Sequence, residues 1–503
     1  MTFEEKITSI RKKMKEEKIN IYIVYSDDPH KSVSVADHWR CVHWLTGFSG
    51  WVGTVLISED KIAFWTDGRY VEQAKRELSG KNIDKYCIIN PEDPTIYQWI
   101  INEIRMDGFV GFDGKVAMAG EIERLEKVLA RKKASIKFSK NLLEDIWDDR
   151  PVIPNNPVFD FDVKYAGEER KEKIRRVREK MKQMEVDFYL TSGLDDIAWL
   201  LNLRGSDSIL YPVFHGYVLV SMDKVWLFIN EVKISEQLIE KLHEDEIYCK
   251  DMNNVFKALS SLSDNTVITY DPFKTSILLK KALSDNVYAI EELDLVTNMK
   301  CCKNETELSN LRNANIKEDV CVVRLIKYVK DNIGHVKMDE YSVGQWINEE
   351  RKKNPEFIKP ANIPIVGCKG NAAEIHYRPT KTNSDILEPK GLLLFDLCAH
   401  YYSGSTDITR TIALGPLTEQ MKKDYTLTLK SHIRLATQLF PFGCTGPALD
   451  GAIKAAHWNE GLDYGAGTGH GMGYCTYIQE GPCKIAMDRS PFFHYTFDSP
   501  IRP

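Results

Sequence analysis

Two aspartates eleven positions apart are the residues best placed to do chemistry. The apolar run Leu392-Leu393-Leu394-Phe395 ends in Asp396, and Asp407 follows within Ser405-Thr406-Asp407-Ile408-Thr409-Arg410-Thr411. A strand that ends in Asp presents a carboxylate at its edge. The turn residues Ser403-Gly404-Ser405 can fold the chain back, so that a second strand sets Asp407 beside the first. Two like charges held close and desolvated repel unless a cation sits between them. Hard carboxylate oxygens suit divalent ions of the Mn²⁺ or Zn²⁺ type. The spacing alone fits equally simple chemistry, two solvated turn aspartates.

Three further segments carry possible donors. In Gly467-Thr468-Gly469-His470-Gly471-Met472-Gly473, four glycines around one histidine permit close backbone approach and suit metal ligation by the imidazole. The same run also fits a turn with an incidental histidine. Gln479-Glu480-Gly481-Pro482 places an acid before a turn. In Glu374-Ile375-His376-Tyr377-Arg378-Pro379, a histidine beside apolar neighbours suits a cleft wall or a structural role.

The elements that must position these groups read as mixed α/β. Residues 1–18 form an amphipathic helix with Phe3, Ile7, Ile10 and Met14 on one face. The strand Ile19–Tyr25 follows, then a hairpin from the runs 53–57 and 61–65. The same order returns about 165 residues later. There a charged helix at 168–184 precedes a strand at 186–190 and a hairpin from 216–220 and 224–229. His43-Trp44-Leu45 corresponds to Ala198-Trp199-Leu200. Two copies of one unit explain this order, joined by a linker at Asp148–Asp162 that holds three prolines. A third region begins near Cys302, where Asn304-x-x-Glu307 forms a capping box ahead of a long helix.

Composition bounds the rest. The chain has 503 residues, 43% hydrophobic and 28% charged, which suits about three globular domains. Its net charge of −6 argues against a nucleic-acid-binding surface over the whole molecule. There is no apolar run of transmembrane length and no apolar segment near Met1, so neither membrane insertion nor a signal peptide is expected. Eleven scattered cysteines without a CxxC pair suit reduced thiols in the cytoplasm.

Together these segments resemble the aminopeptidase P/prolidase/creatinase metallopeptidases, and most of all the long, three-domain, cytosolic Xaa-Pro aminopeptidases. Thr46-Gly47-Phe48-Ser49-Gly50 and Trp65-Thr66-Asp67-Gly68-Arg69-Tyr70 look like their first domain. The run Asp195 to Asp207 looks like their second, and Lys303 to Leu308 like the start of their catalytic domain. The resemblance implies two tandem creatinase-like α/β domains, at 1–150 and 163–300, and a pita-bread domain at 303–503. It implies two divalent metals, Mn²⁺ foremost with Zn²⁺ or Co²⁺ as alternatives. Asp396 would chelate one metal, Asp407 would bridge both, and His470 would bind the other. His376 would line the substrate subsite with Tyr377 adjoining it, Arg410 would orient the bridging carboxylate of Asp407, and Gln479 and Glu480 would stand behind the ligands or at the subsite. The substrate would be a peptide with proline second, and the assembly a homodimer.

The chain also departs from that pattern. The family's Glu-Pro-Gly-Tyr-Tyr and Arg-Ile-Glu segments, which supply two glutamate ligands, do not occur. Only 33 residues follow His470, and their acids, Glu480, Asp488 and Asp498, stand in other contexts. Ala466 and Gln479 replace two histidines, and Gln cannot exchange a proton near neutral pH. Three readings follow. One is an active Xaa-Pro aminopeptidase whose chain is incomplete at the C-terminus. Another is a pseudoenzyme that binds peptides or proteins in the same cleft. A prolidase is the third, but prolidases carry one N-terminal unit rather than two. The missing ligands lead us to expect little or no hydrolysis by the 503-residue chain.

Overall fold

Helix formation begins at a capping box. Thr2 accepts from the Glu5 amide at 3.2 Å, and Glu5 accepts from the Thr2 amide at 2.7 Å. The helix Phe3–Glu16 then buries Ile7, Ile10 and Met14, as its periodicity predicts. This computed structural model describes residues 1–487; the tail acids Asp488 and Asp498, and the end of the expected third domain, lie outside the described residues.

Strands β1 (Ile21–Tyr25), β2 (Thr54–Ile57), β3 (Ile62–Thr66), β4 (Asp84–Cys87), β5 (Phe109–Phe112) and β6 (Ser135–Lys137) form one sheet, in the order β4-β3-β2-β1-β5-β6. All five residues of β1 are buried. Ile21, Ile23 and Tyr25 face one apolar core, and Tyr22 and Val24 face the other. Helices therefore cover both faces.

The second unit repeats this plan. Its short strand β7 (Phe159–Asp160) is followed by β8 (Phe188–Thr191), β9 (Leu203–Arg204), β10 (Tyr217–Ser221), β11 (Val225–Phe228), β12 (Ile247–Lys250), β13 (Val267–Tyr270) and β14 (Tyr288–Glu291). Six of them form a sheet in the order β12-β11-β10-β8-β13-β14, the first sheet's order with new labels. The pairing senses match as well: the two hairpin ladders are antiparallel and the outer three pairs parallel. Helices Cys41–Thr46 and Leu194–Leu200 carry the matched Trp-Leu segments at equivalent points. The linker differs from expectation at its end. Strand β7 pairs with β9; Val158 is buried in the second unit's core, and Phe161 packs with Ala166, Tyr474 and Cys475.

The third region opens on the 28-residue helix Glu305–Asn332, capped by Asn304 and Glu307 as its sequence predicts. Strand β15 (Phe357–Pro360) and β16 (Ile365–Cys368) pair with opposite ends of β17 (Leu392–Tyr401). Strand β18 (Gly404–Ala413) pairs along the whole of β17. Leu393, Phe395 and Leu397 pack with Val322, Leu325 and Val329 of the long helix in one core. Beyond helices Glu419–Thr437 and Gly446–Trp458, β19 (Gly469–Met472) and β20 (Gln479–Ile485) form an antiparallel ribbon.

Candidate active site

The ladder between β17 and β18 fixes the geometry. Cys398 stands directly opposite Asp407, and Asp396 opposite Thr409. Side chains alternate along a strand, so Asp396 and Cys398 share the face that Leu393, Phe395 and Leu397 leave free for the site. Asp407 projects from the neighbouring strand onto that face. Donor atoms of Asp396, Cys398 and Asp407 all lie within 4.8 Å of one another. The Cys398 Sγ is 3.7 Å from Asp396 Oδ1 and 3.3 Å from Asp407 Oδ1. From β19, His470 Nε2 comes within 3.4 Å of the other Asp407 oxygen, Oδ2. His470 Nδ1 lies 2.9 Å from the Gly471 carbonyl, to which it can donate, leaving Nε2 for the site. A register shift between His470 and Gly471 aims the ring there.

The electrostatics are those of a site short of positive charge. Burial, and then the charge of Asp407, push the Asp396 carboxyl up to about 6. Burial alone would lower the His470 imidazole, but its hydrogen bond to Asp407 and that residue's charge raise it. A divalent cation would relieve the carboxylate pair and replace the His470 proton. The donor set therefore fits a metal ion: two carboxylates that line one cavity, and an imidazole in contact with one of them.

That cavity has a volume of about 250 Å³ and is lined by Asp396, Cys398 and Asp407 together with residues of all three units. Tyr70, Asp67 and Arg69 come from the first unit and Tyr211 from the second. His376 forms part of the wall, its Nδ1 2.5 Å from the Tyr70 hydroxyl. Its ring meets the Tyr70 ring edge-on, with centroids 5.0 Å apart. Burial, reinforced by the nearby Arg69 charge, lowers the His376 imidazole to about 3, so the ring is neutral. The Arg378 guanidinium stacks 4.7 Å over the Trp51 ring, and Arg69 pairs with Asp67 at 2.6 Å. Apolar surface from Trp51, Ile363, Ile365 and Ile478 completes the wall.

The remaining expected residues divide by strand parity and by packing. Gln479 lines the cavity, but its neighbour Glu480 is turned away and pairs with Lys303 in a buried contact. Burial raises that carboxyl to about 7 despite the lysine. Tyr377, expected at the subsite, is buried outside the cavity. Its hydroxyl lies 2.8 Å from Glu340 Oε2 and 2.7 Å from the Asn383 carbonyl, either of which can accept its proton, so it braces a loop. Arg410, expected to orient the aspartates, lies on the opposite face of β18, because it is an odd number of positions from Asp407. It is exposed and donates to the Thr409 carbonyl at 2.8 Å. Cys398, Tyr211 and Arg378 join the cavity wall without having been singled out. For Cys398 the signal was present: two positions past Asp396 on a strand means the same face.

Comparison with known proteins places this geometry. The creatinase/prolidase N-terminal domain family matches residues 6–146 and again 149–307. Metallopeptidase family M24 matches residues 309–492. Xaa-Pro aminopeptidase 1 of Dictyostelium discoideum is 33% identical over 97% of this chain and 79% of its own length. The probable Xaa-Pro aminopeptidase P of Laccaria bicolor is 32% identical over 97% of this chain and 77% of its own. An X-prolyl aminopeptidase structure from Caenorhabditis elegans, described as a cytosolic enzyme with a di-nuclear active site, superposes with a TM-score of 0.92 at 27% identity. It spans 97% of this chain and 83% of that one.

Proposed function

Because the chain belongs to the Xaa-Pro aminopeptidase family of M24 metallopeptidases, we propose that it releases the N-terminal residue from peptides with proline in second position. The observation that carries this reading is the meeting of Asp396 and Asp407 on a cavity that also holds His376, with His470 Nε2 3.4 Å from Asp407. In it, Asp396 would hold one metal ion and His470 a second, with Asp407 between them. The Asp407 carboxylate suits bridging, since Oδ1 faces Cys398 and Oδ2 faces His470. The bound ions would supply Lewis acidity, polarising the scissile carbonyl and acidifying water. The resemblance points to Mn²⁺, with Zn²⁺ and Co²⁺ also admissible.

The chain's own residues do the rest. The apolar wall of Trp51, Ile363 and Ile365 suits a pyrrolidine ring and excludes water from it. When the Tyr70 hydroxyl donates to His376 Nδ1, the ring proton sits on Nε2. That N–H can then donate to the oxyanion that develops on the scissile carbonyl. Gln479 can orient a substrate group by hydrogen bonding but cannot carry a proton.

The proposal extends to architecture and place. Units at 1–150, 163–300 and from 303 onward share the cleft, in a cytoplasmic homodimer. Among the described residues no helix is long and apolar enough to cross a membrane, and all eleven cysteines are unpaired. An apolar stripe, Tyr425, Leu429 and Ile433, is exposed on helix Glu419–Thr437 and offers a surface for a second copy. Sedimentation equilibrium checks the dimer. Calorimetric titration checks the substrate class: Arg-Pro-Pro should bind the metal-loaded chain about tenfold or more tighter than Arg-Ala-Pro, the discrimination expected of a shaped apolar pocket. Equal affinities would remove proline from the proposal.

A further inference from the structure

Cys398 lies among the metal-binding groups rather than beside them. It faces Asp407 across the ladder and shares the site face of β17 with Asp396. Cys398 lines the cavity, and its Sγ stands 3.7 Å and 3.3 Å from one oxygen of each aspartate. Around one tetrahedral zinc ion, bond lengths of about 2.3 Å to sulfur and about 2.0 Å to oxygen place sulfur and oxygen about 3.5 Å apart. The two observed separations bracket that value. A buried cysteine ordinarily behaves as a small apolar group and packs against apolar atoms. This one instead points its sulfur at two carboxylates.

We propose that Cys398 is a metal ligand, so that Asp396, Cys398 and Asp407 Oδ1 form a mixed carboxylate–thiolate half-site selective for Zn²⁺ or Co²⁺ over Mn²⁺. The proposal rests on the metallopeptidase reading of the same cleft. On binding, the S–H bond breaks, its proton leaves to water, and the sulfur electron pair forms the metal–sulfur bond. The thiolate supplies a third anionic donor beside the two carboxylates. Soft sulfur favours zinc and cobalt, whereas an all-oxygen set favours manganese. His470 and Asp407 Oδ2 remain for the second ion.

Cobalt titration of the metal-free, full-length chain tests this without reference to turnover. Wild type should develop visible ligand-field bands together with a near-ultraviolet sulfur-to-cobalt band. Zinc should protect one of its eleven thiols from a thiol reagent, with mass spectrometry locating that thiol at Cys398. Cys398→Ser and Cys398→Ala should lose the near-ultraviolet band and the protection while keeping the ligand-field bands. Their preference for zinc over manganese should fall by about tenfold or more. Ligand-field bands in wild type that vanish in Asp407→Asn, with no near-ultraviolet band, would overturn the thiolate ligand and leave the metallopeptidase reading standing. A near-ultraviolet band that persists in both Cys398 variants would overturn it too. No cobalt binding by wild type would overturn both readings.

Discussion

His376 shows how a single side chain is tuned by its surroundings. The cavity wall and the Arg69 charge hold its pKa at about 3, below the ordinary 6.5. Between those values the unfolded chain binds a proton that the folded ring refuses. The associated stability is intact above pH 6.5 and falls as pH drops toward 3, at up to about 1.4 kcal/mol per pH unit. His376→Gln should lack this component, and chemical denaturation of both proteins at pH 7 and pH 4.5 measures the difference. At this scale much of the grouping of the candidate residues was legible before the fold was known. Asp396 stood out because an apolar run ended on it, Asp407 because a Gly turn brought it back, and His470 because glycines surrounded it. Arg410 and Tyr377 misled because nearness in sequence was read as nearness in space. Strand parity turns Arg410 to the opposite face, and Glu340 draws the Tyr377 hydroxyl away from the cleft. Cys398 was passed over although the same parity rule places it in the site.

Elements, not residues, decide whether those groups meet. The β17–β18 register sets Asp396, Cys398 and Asp407 together, and the long helix behind β17 keeps that strand in place. Asn304 matters to that helix twice. It caps the first turn at 2.9 Å to the Glu307 amide, and its side-chain amide donates to the Ala166 carbonyl of the second unit at 2.9 Å. Glu307 in turn accepts from Trp199 Nε1 at 3.0 Å. Asn304→Ala should cost about 1–2 kcal/mol and lower the thermal midpoint, as differential scanning calorimetry would record. The capping box and the repeated α/β unit were both readable, since each is a local pattern. The pairing of β7 with β9 was not. Two-residue strands carry no periodicity, and only the second unit's surface selects them.

The cleft belongs to the whole molecule. The first unit places Tyr70 on His376, the second places Tyr211 beside the aspartates, and the third carries the carboxylates and imidazole. Arg204 ties the second unit to the third. It is fully buried, lies 4.1 Å over the Phe161 ring, and donates to the Cys475 carbonyl at 2.5 Å and the Tyr474 carbonyl at 3.3 Å. Arg204→Ala would leave those carbonyls without their donor, at a cost of about 2–3 kcal/mol. Limited proteolysis should then cut faster between the units, while Arg204→Lys should restore part of the resistance. None of this contact between units was legible from sequence, because it joins residues some 270 positions apart.

The account stands or falls on metal-dependent cleavage before proline, and excess-enzyme kinetics makes even slow cleavage visible. The metal-loaded chain, in excess over Arg-Pro-Pro, should release free arginine, leave Arg-Ala-Pro intact, and lose the activity in Asp407→Asn. No arginine from Arg-Pro-Pro after prolonged incubation, the outcome expected when the sequence is read without the fold, or release that survives Asp407→Asn, would contradict it.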